Sequence, residues 1–161
     1  MTNRSGFQIR TATREDCEAV SRLVMEFRDF LKRPAPSYDD IVGSVTYLLR
    51  SQNARIGLAT LDHDPVGYSS VWYHYSLWAD GPAAAISDLF VTERYRGQGA
   101  GQALIEHALE TSRGDGVRLV TLNTNEKNVA SNRIYESLGF KAYSDVWQGR
   151  QIAYRKELKS A

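Results

Sequence analysis

One segment constrains this chain more than any other: an apolar stretch from Ile86 to Val91, a short basic link, the glycine turn Arg96-Gly97-Gln98-Gly99-Ala100-Gly101, and then Leu104, Ile105, Ala108 and Leu109 at helical spacing. That pattern predicts a strand running through a glycine-rich corner into the first turn of a helix. A helix start carries unpaired N–H groups and a partial positive charge, both suited to an anion. Glycines let the main chain approach phosphates without a Cβ in the way, and Arg96 adds charge. Taken alone, such glycines are about as well explained by a tight strand-to-helix corner. A dinucleotide fingerprint needs G-x-G-x-x-G and an acidic residue at the next strand end; here the spacing is G-x-G-x-G and that strand ends Thr121-Leu122-Asn123. A P-loop needs Gly-Lys-Ser or Gly-Lys-Thr, which the chain lacks.

The remaining pattern fills in an α/β domain spanning residues 1–161. Gln8 to Ala12 alternates like a short strand. Thr13, with Asp16 three residues on, opens a helix whose stripe is Cys17, Val20, Val24, Phe27 and Leu31. Pro34 and Pro36 end it, and Ser37 caps a second helix carrying Ile41, Val45, Leu48 and Leu49. Ile56 to Leu61, Val66 to Trp72 (prolonged by Tyr73-His74-Tyr75) and Ala83 to Val91 read as an antiparallel meander. A helix from about Gly99 to Ser112, a strand from Arg118 to Asn123, a helix from about Ala130 to Leu138 and strands near Lys141 to Val146 and Gln151 to Glu157 complete it. The economical packing is a mixed, mostly antiparallel sheet of about six to seven strands flanked by about four helices.

Composition narrows the function classes. Lysine plus arginine number 20 against 19 acidic residues, a net charge of +1, which argues against a chain that coats nucleic acid or an anionic membrane. A single cysteine, Cys17, excludes an internal disulfide and a cysteine zinc cluster, and with a polar start at Met1 to Gly6 the expectation is a reduced cytosolic protein. No histidine–carboxylate group has metal-ligand spacing, so no metal is expected.

The glycine turn resembles the acetyl-CoA signature of the GNAT superfamily of N-acetyltransferases, Arg/Gln-x-x-Gly-x-Gly/Ala, at Arg96, Gly99 and Gly101. Asn128-Val129-Ala130-Ser131-Asn132-Arg133-Ile134-Tyr135-Glu136-Ser137-Leu138-Gly139-Phe140 resembles that family's second signature, an asparagine seven residues before a tyrosine and then Gly-Phe. The order of elements is similar over nearly the whole chain. The resemblance implies direct transfer of acetyl from acetyl-CoA to a primary amine of a small molecule or peptide, within a ternary complex and from a homodimer. It implies cofactor contacts from Leu89, Phe90 and Val91 through main-chain pairing, from Arg96, Gly97, Gln98, Gly99, Ala100, Gly101 and Gln102 around the diphosphate, and from Asn128, for which a helix cap is an equal alternative. Tyr135 is the expected partner of the departing thiolate, against simple packing of helix on sheet. Some polyamine acetyltransferases place a glutamate where this chain has Ser87, so a direct carboxylate base is in doubt. Asp88 either orients the amine and polarises a water or is merely structural. Tyr73, Tyr75 and Trp78 offer an aromatic wall suited to a cationic amine, or else packing. The alternative function is a module of the same fold that binds an acyl-CoA or metabolite without turnover.

Overall fold

The structure, a computed structural model, describes residues 6–158. The chain divides into two compact units, residues 1–122 and 123–161.

In the first unit the order is β1 (Gln8–Thr11), a 3-10 turn at Arg14–Asp16, α1 (Cys17–Phe30), α2 (Tyr38–Arg50), β2 (Ala54–Leu61), β3 (Asp64–Ser76), β4 (Gly81–Val91), a second 3-10 turn at Glu93–Tyr95, α3 (Ala100–Gly114) and β5 (Leu119–Leu122). These form one five-stranded sheet in sequential order, antiparallel except where β5 runs parallel to β4. That parallel pair requires a crossover, and α3 supplies it. The sheet therefore holds five strands, not six to seven. The missing members lie in the second unit as two-residue strands, β6 (Tyr143–Ser144) and β7 (Gly149–Arg150), paired only with each other; 151–157 forms no strand.

Helix starts follow local chemistry. The Ser37 hydroxyl accepts from the Asp40 N–H at 3.2 Å, and the Asp40 carboxylate accepts from the Ser37 N–H at 3.1 Å, a reciprocal cap that begins α2. Thr13 and Asp16 form a box as well, the Thr13 N–H donating to the Asp16 carboxylate at 2.7 Å, but the first turn there is 3-10 before α1 proper begins. The apolar stripes of α1 and α2 meet Ile56, Leu58, Tyr68 and Phe90 on one face of the sheet. On the other, Ala100, Ala103 and Leu104 of α3 pack on Phe7, Ile9, Ala59, Val66 and Val91. Cys17 belongs to the first of these layers. No described helix is long and apolar enough to cross a membrane.

Two irregularities in the sheet matter below. The β3–β4 register jumps between Ser70 opposite Asp88 and Val71 opposite Ile86, which leaves Ser87 as the extra residue of a bulge. Pairing of β4 with β5 covers only Ala83–Ile86 and stops at that bulge.

In the second unit, α4 (Val129–Ser137) ends in a left-handed turn at Gly139, φ +87°. The Phe140 N–H donates to the Tyr135 carbonyl at 3.0 Å and the Gly139 N–H to the Glu136 carbonyl at 3.1 Å, a Schellman close that needs a residue without a Cβ penalty. It lays the Phe140 ring edge-on to Tyr135, with centroids 6.0 Å apart.

Candidate active site

The glycine turn has the geometry its composition demands. Gly97 and Gly99 lie at φ +72° and +95°, in the left-handed region where a Cβ is strained. Gly99 caps α3 with no side chain, and the first turn of the helix contains no acidic residue. The first intrahelical bond runs from the Ala103 N–H to the Gly99 carbonyl at 3.0 Å. Ahead of it, the main-chain N–H groups from Gly97 through Gln102 have no acceptor among the described residues. Gly97 to Gly99 are exposed. A row of aligned, water-accessible donors at a fifteen-residue helix is a receptor for anionic oxygens.

The side chains around the turn serve other ends. Arg96 donates from Nε to the Val91 carbonyl at 2.8 Å, and its guanidinium lies 4.2 Å from the Phe30 ring centroid and 5.5 Å from that of Phe90. It ties the end of β4 to α1, while Gln98 donates to the Arg94 carbonyl at 3.0 Å and Gln102 to Glu106 at 2.9 Å. The donors left without a described hydrogen-bond acceptor at the turn are the main-chain N–H groups and the Nη atoms of Arg96.

Beyond the bulge, β4 pairs with β3 on one side and with no described strand on the other. The Thr92 N–H donates to the Val66 carbonyl at 2.9 Å, so alternation along the strand turns Phe90 toward β3 and Leu89 and Val91 away from it. The bond from Arg96 to the Val91 carbonyl agrees with that parity. Leu89 and Val91 thus present N–H donors to the open edge. The Phe90 ring is core, stacked on Phe27 at 5.0 Å.

On the α1–α2 face of the sheet a cavity of about 240 Å³ opens, walled by apolar residues of both helices and by Tyr68, Ser70 and Asp88, with Arg28 and Arg33 also lining it. Ser70 donates to one Asp88 oxygen at 2.6 Å; the other has no described hydrogen-bond donor. Burial pushes the Tyr68 phenol well up from its ordinary value, and the Asp88 charge pushes it further the same way, so this hydroxyl is neutral and available as a donor. Tyr68 and Ser70 were not among the sequence candidates. The signal for them was available: alternate positions on β3, with Ser70 directly opposite Asp88.

The proposed aromatic wall is not assembled at this cavity. Tyr73 points to the α3 side, where Arg55 lies 5.4 Å from its ring centroid, near Ser69, Val71 and His107. Tyr75 and Trp78 are exposed, Trp78 almost completely at 99%. His107 sits on α3 within 3.2 Å of the Thr11 hydroxyl, and burial lowers its pKa.

In the second unit Asn128 occupies the N-cap position of α4, yet its side chain accepts no capping bond. Tyr135 is buried, and burial raises its phenol pKa, opposed by Ser131.

Comparison with known proteins bears on the family and the fold. The Acetyltransferase (GNAT) family profile matches residues 18–140. The chain is 25% identical over 136 residues to the uncharacterized N-acetyltransferase YhfO of Bacillus subtilis (strain 168), covering 83% of this chain and 89% of that one. It is 36% identical over 96 residues to the glucosamine 6-phosphate N-acetyltransferase of Trypanosoma brucei brucei, covering 55% of this chain and 63% of that protein. The aminoglycoside N-acetyltransferase AAC(6')-Iy, solved in complex with CoA, superposes with a TM-score of 0.76 at 21% identity, over 94% of this chain and 95% of that one, a likeness of fold. The chain therefore belongs to the GNAT acetyltransferase family and is an acetyl-CoA-dependent N-acetyltransferase.

Proposed function

We propose that this chain acetylates the primary amine of a small molecule or peptide, with cofactor and acceptor bound together in the first unit. The observation that carries this reading is the run of unbonded amides from Gly97 to Gln102 continuing from the open edge of β4. Those amides suit the diphosphate of coenzyme A. The Val91 donor suits an extended chain carrying amide groups, held as an added strand. When bound, the cofactor supplies an acetyl group activated as a thioester.

The protein must then make an amine nucleophilic. An aliphatic ammonium of pKa roughly 10.4 costs about 4–5 kcal/mol to deprotonate at pH 7. The apolar walls of the α1–α2 cavity lower that cost by disfavouring the charged form. Asp88, anchored by Ser70 on one oxygen, holds the ammonium through the other and hands its proton to water. Tyr68 offers a neutral hydroxyl on the same wall. The Leu89 N–H supplies a donor for charge developing on an acyl oxygen. Tyr135 is assigned the leaving sulfur only by its place in the second signature; burial raises its phenol pKa, which suits a hydrogen-bond donor.

A thiol-release assay with acetyl-CoA and a panel of amines tests the reading, alongside calorimetry of CoA binding. Release that depends on the amine and falls at least tenfold in Asp88→Asn is the expected result. Tight CoA binding with no release from any amine would leave a binding module instead.

A further inference from the structure

The α1–α2 cavity is unevenly charged. The sheet contributes one carboxylate, Asp88, whereas α1 and the segment after it contribute Arg28 and Arg33. The two cations differ in employment. Arg28 is committed internally: Nε and Nη2 donate to Asp29 at 2.9 and 2.6 Å, and Nη1 to the Pro36 carbonyl at 2.8 Å. The Arg33 guanidinium has no partner among the described residues. Its backbone is nonetheless held. The Arg33 N–H donates to the Arg28 carbonyl at 3.1 Å and the Lys32 N–H to the Asp29 carbonyl at 2.9 Å, with Lys32 at φ +54°, a Schellman close of α1. An unpaired guanidinium on a fixed main chain is a receptor for carboxylate or phosphate oxygens, which its planar fork grips in pairs.

We propose that the acceptor is an amine bearing an anionic group at the far end of an apolar body, an ω-amino acid or its phosphate counterpart, with its ammonium on Asp88 and its anion on Arg33. The inference rests on reading this cavity as the acceptor site. Val24, Phe27, Leu31 and Leu48 line the same cavity and match an aliphatic spacer. A diamine or polyamine sets its second cation against Arg33, a like-charge pairing that an anion replaces with attraction. At about 240 Å³ the cavity is smaller than the roughly 300–1,000 Å³ that houses drug-sized ligands, which favours one short body over an oligosaccharide. In the reaction the amine nitrogen forms an amide to the acetyl carbon and the thioester C–S bond breaks. Of the two protons the ammonium gives up, one goes to sulfur and one to solvent, and the distal anion is untouched.

The test compares aminohexanoate, aminopentyl phosphate, aminohexanamide and diaminohexane as acceptors in the thiol-release assay. The acid or the phosphate is expected to exceed the amide and the diamine in kcat/KM by about tenfold or more; the better of the two identifies the anion. Arg33→Ala should raise KM for that acceptor and bring the acid-to-amide ratio toward one, and Arg33→Glu should invert the preference toward the diamine. Calorimetry on the CoA complex should show the anionic acceptor binding to the native protein and not to Arg33→Ala. Equal use of acid and amide, or a ratio unmoved in Arg33→Ala, overturns the inference while leaving the cavity as acceptor site. Turnover indifferent to Leu48→Trp, which fills the cavity, overturns the acceptor site and the inference together.

Discussion

Gly99 carries two burdens at one position, a backbone at φ +95° and a place in the row of free amides. A side chain there meets the left-handed penalty of about 1–2 kcal/mol and stands where an anion must approach. Gly99→Val is therefore expected to weaken CoA binding by at least a hundredfold in calorimetry while far-UV circular dichroism keeps the native helix content. Unchanged affinity would place the diphosphate elsewhere. This residue was legible because a positive φ at a helix start leaves few residue types free to serve. Arg33 was not, since whether a guanidinium is paired depends on where α1 closes and on what Arg28 has already claimed. Tyr73, Tyr75 and Trp78 were visible as aromatics, but the pleat decides which face Tyr73 and Tyr75 meet, and Trp78 lies past the end of β3. Tyr73 falls on the α3 side and Trp78 lies in solvent.

At the scale of elements, β4 is two strands in one. Its first half is paired on both edges; after Ile86 it has a partner on one edge only. Leu89→Pro removes one N–H from the open edge and none from the β3 ladder, so the sheet should persist. Loss of a single donor to a developing oxyanion lowers kcat by about 10²–10³, the drop expected in steady-state kinetics with acetyl-CoA. Native activity in that variant would remove the open edge from the reaction. The three long helices were readable from apolar spacing, because burying one face of a helix against a sheet leaves a period of 3.6 in the sequence. The last strands were not. Gln151 to Glu157 alternates as a strand does, but alternation names a face and not a neighbour, and a strand without a ladder is not stable. Ile152 and Tyr154 accordingly stay exposed, at 71% and 92%.

For the molecule as a whole, the edge strand β1 is secured partly by charge. Arg10 forks onto Asp16 at 2.7 and 2.6 Å, and this pairing holds the Asp16 carboxyl at about 2, below its ordinary 3.8. A depressed carboxylate stabilises the fold above its unfolded pKa and loses that contribution as pH falls through the folded value. Asp16→Asn is expected to cost about 1 kcal/mol at pH 7, a figure reduced for the half-exposed arginine. In urea melts the gap between native and variant proteins should narrow steadily from pH 4 toward pH 2; a gap constant across that window removes the ion pair from the stability of the fold. The bulge at Ser87 has a wider reach. By inserting one residue it puts Ile86 and Asp88 on opposite faces of the sheet, and pairing with β5 ends beside it. The cleft that follows is thus carved by a kink in the main chain, indifferent to which side chains border it. On the proposed function, substitutions can therefore rewrite the walls of the acceptor cavity while the open edge of β4, set by the backbone, keeps its shape.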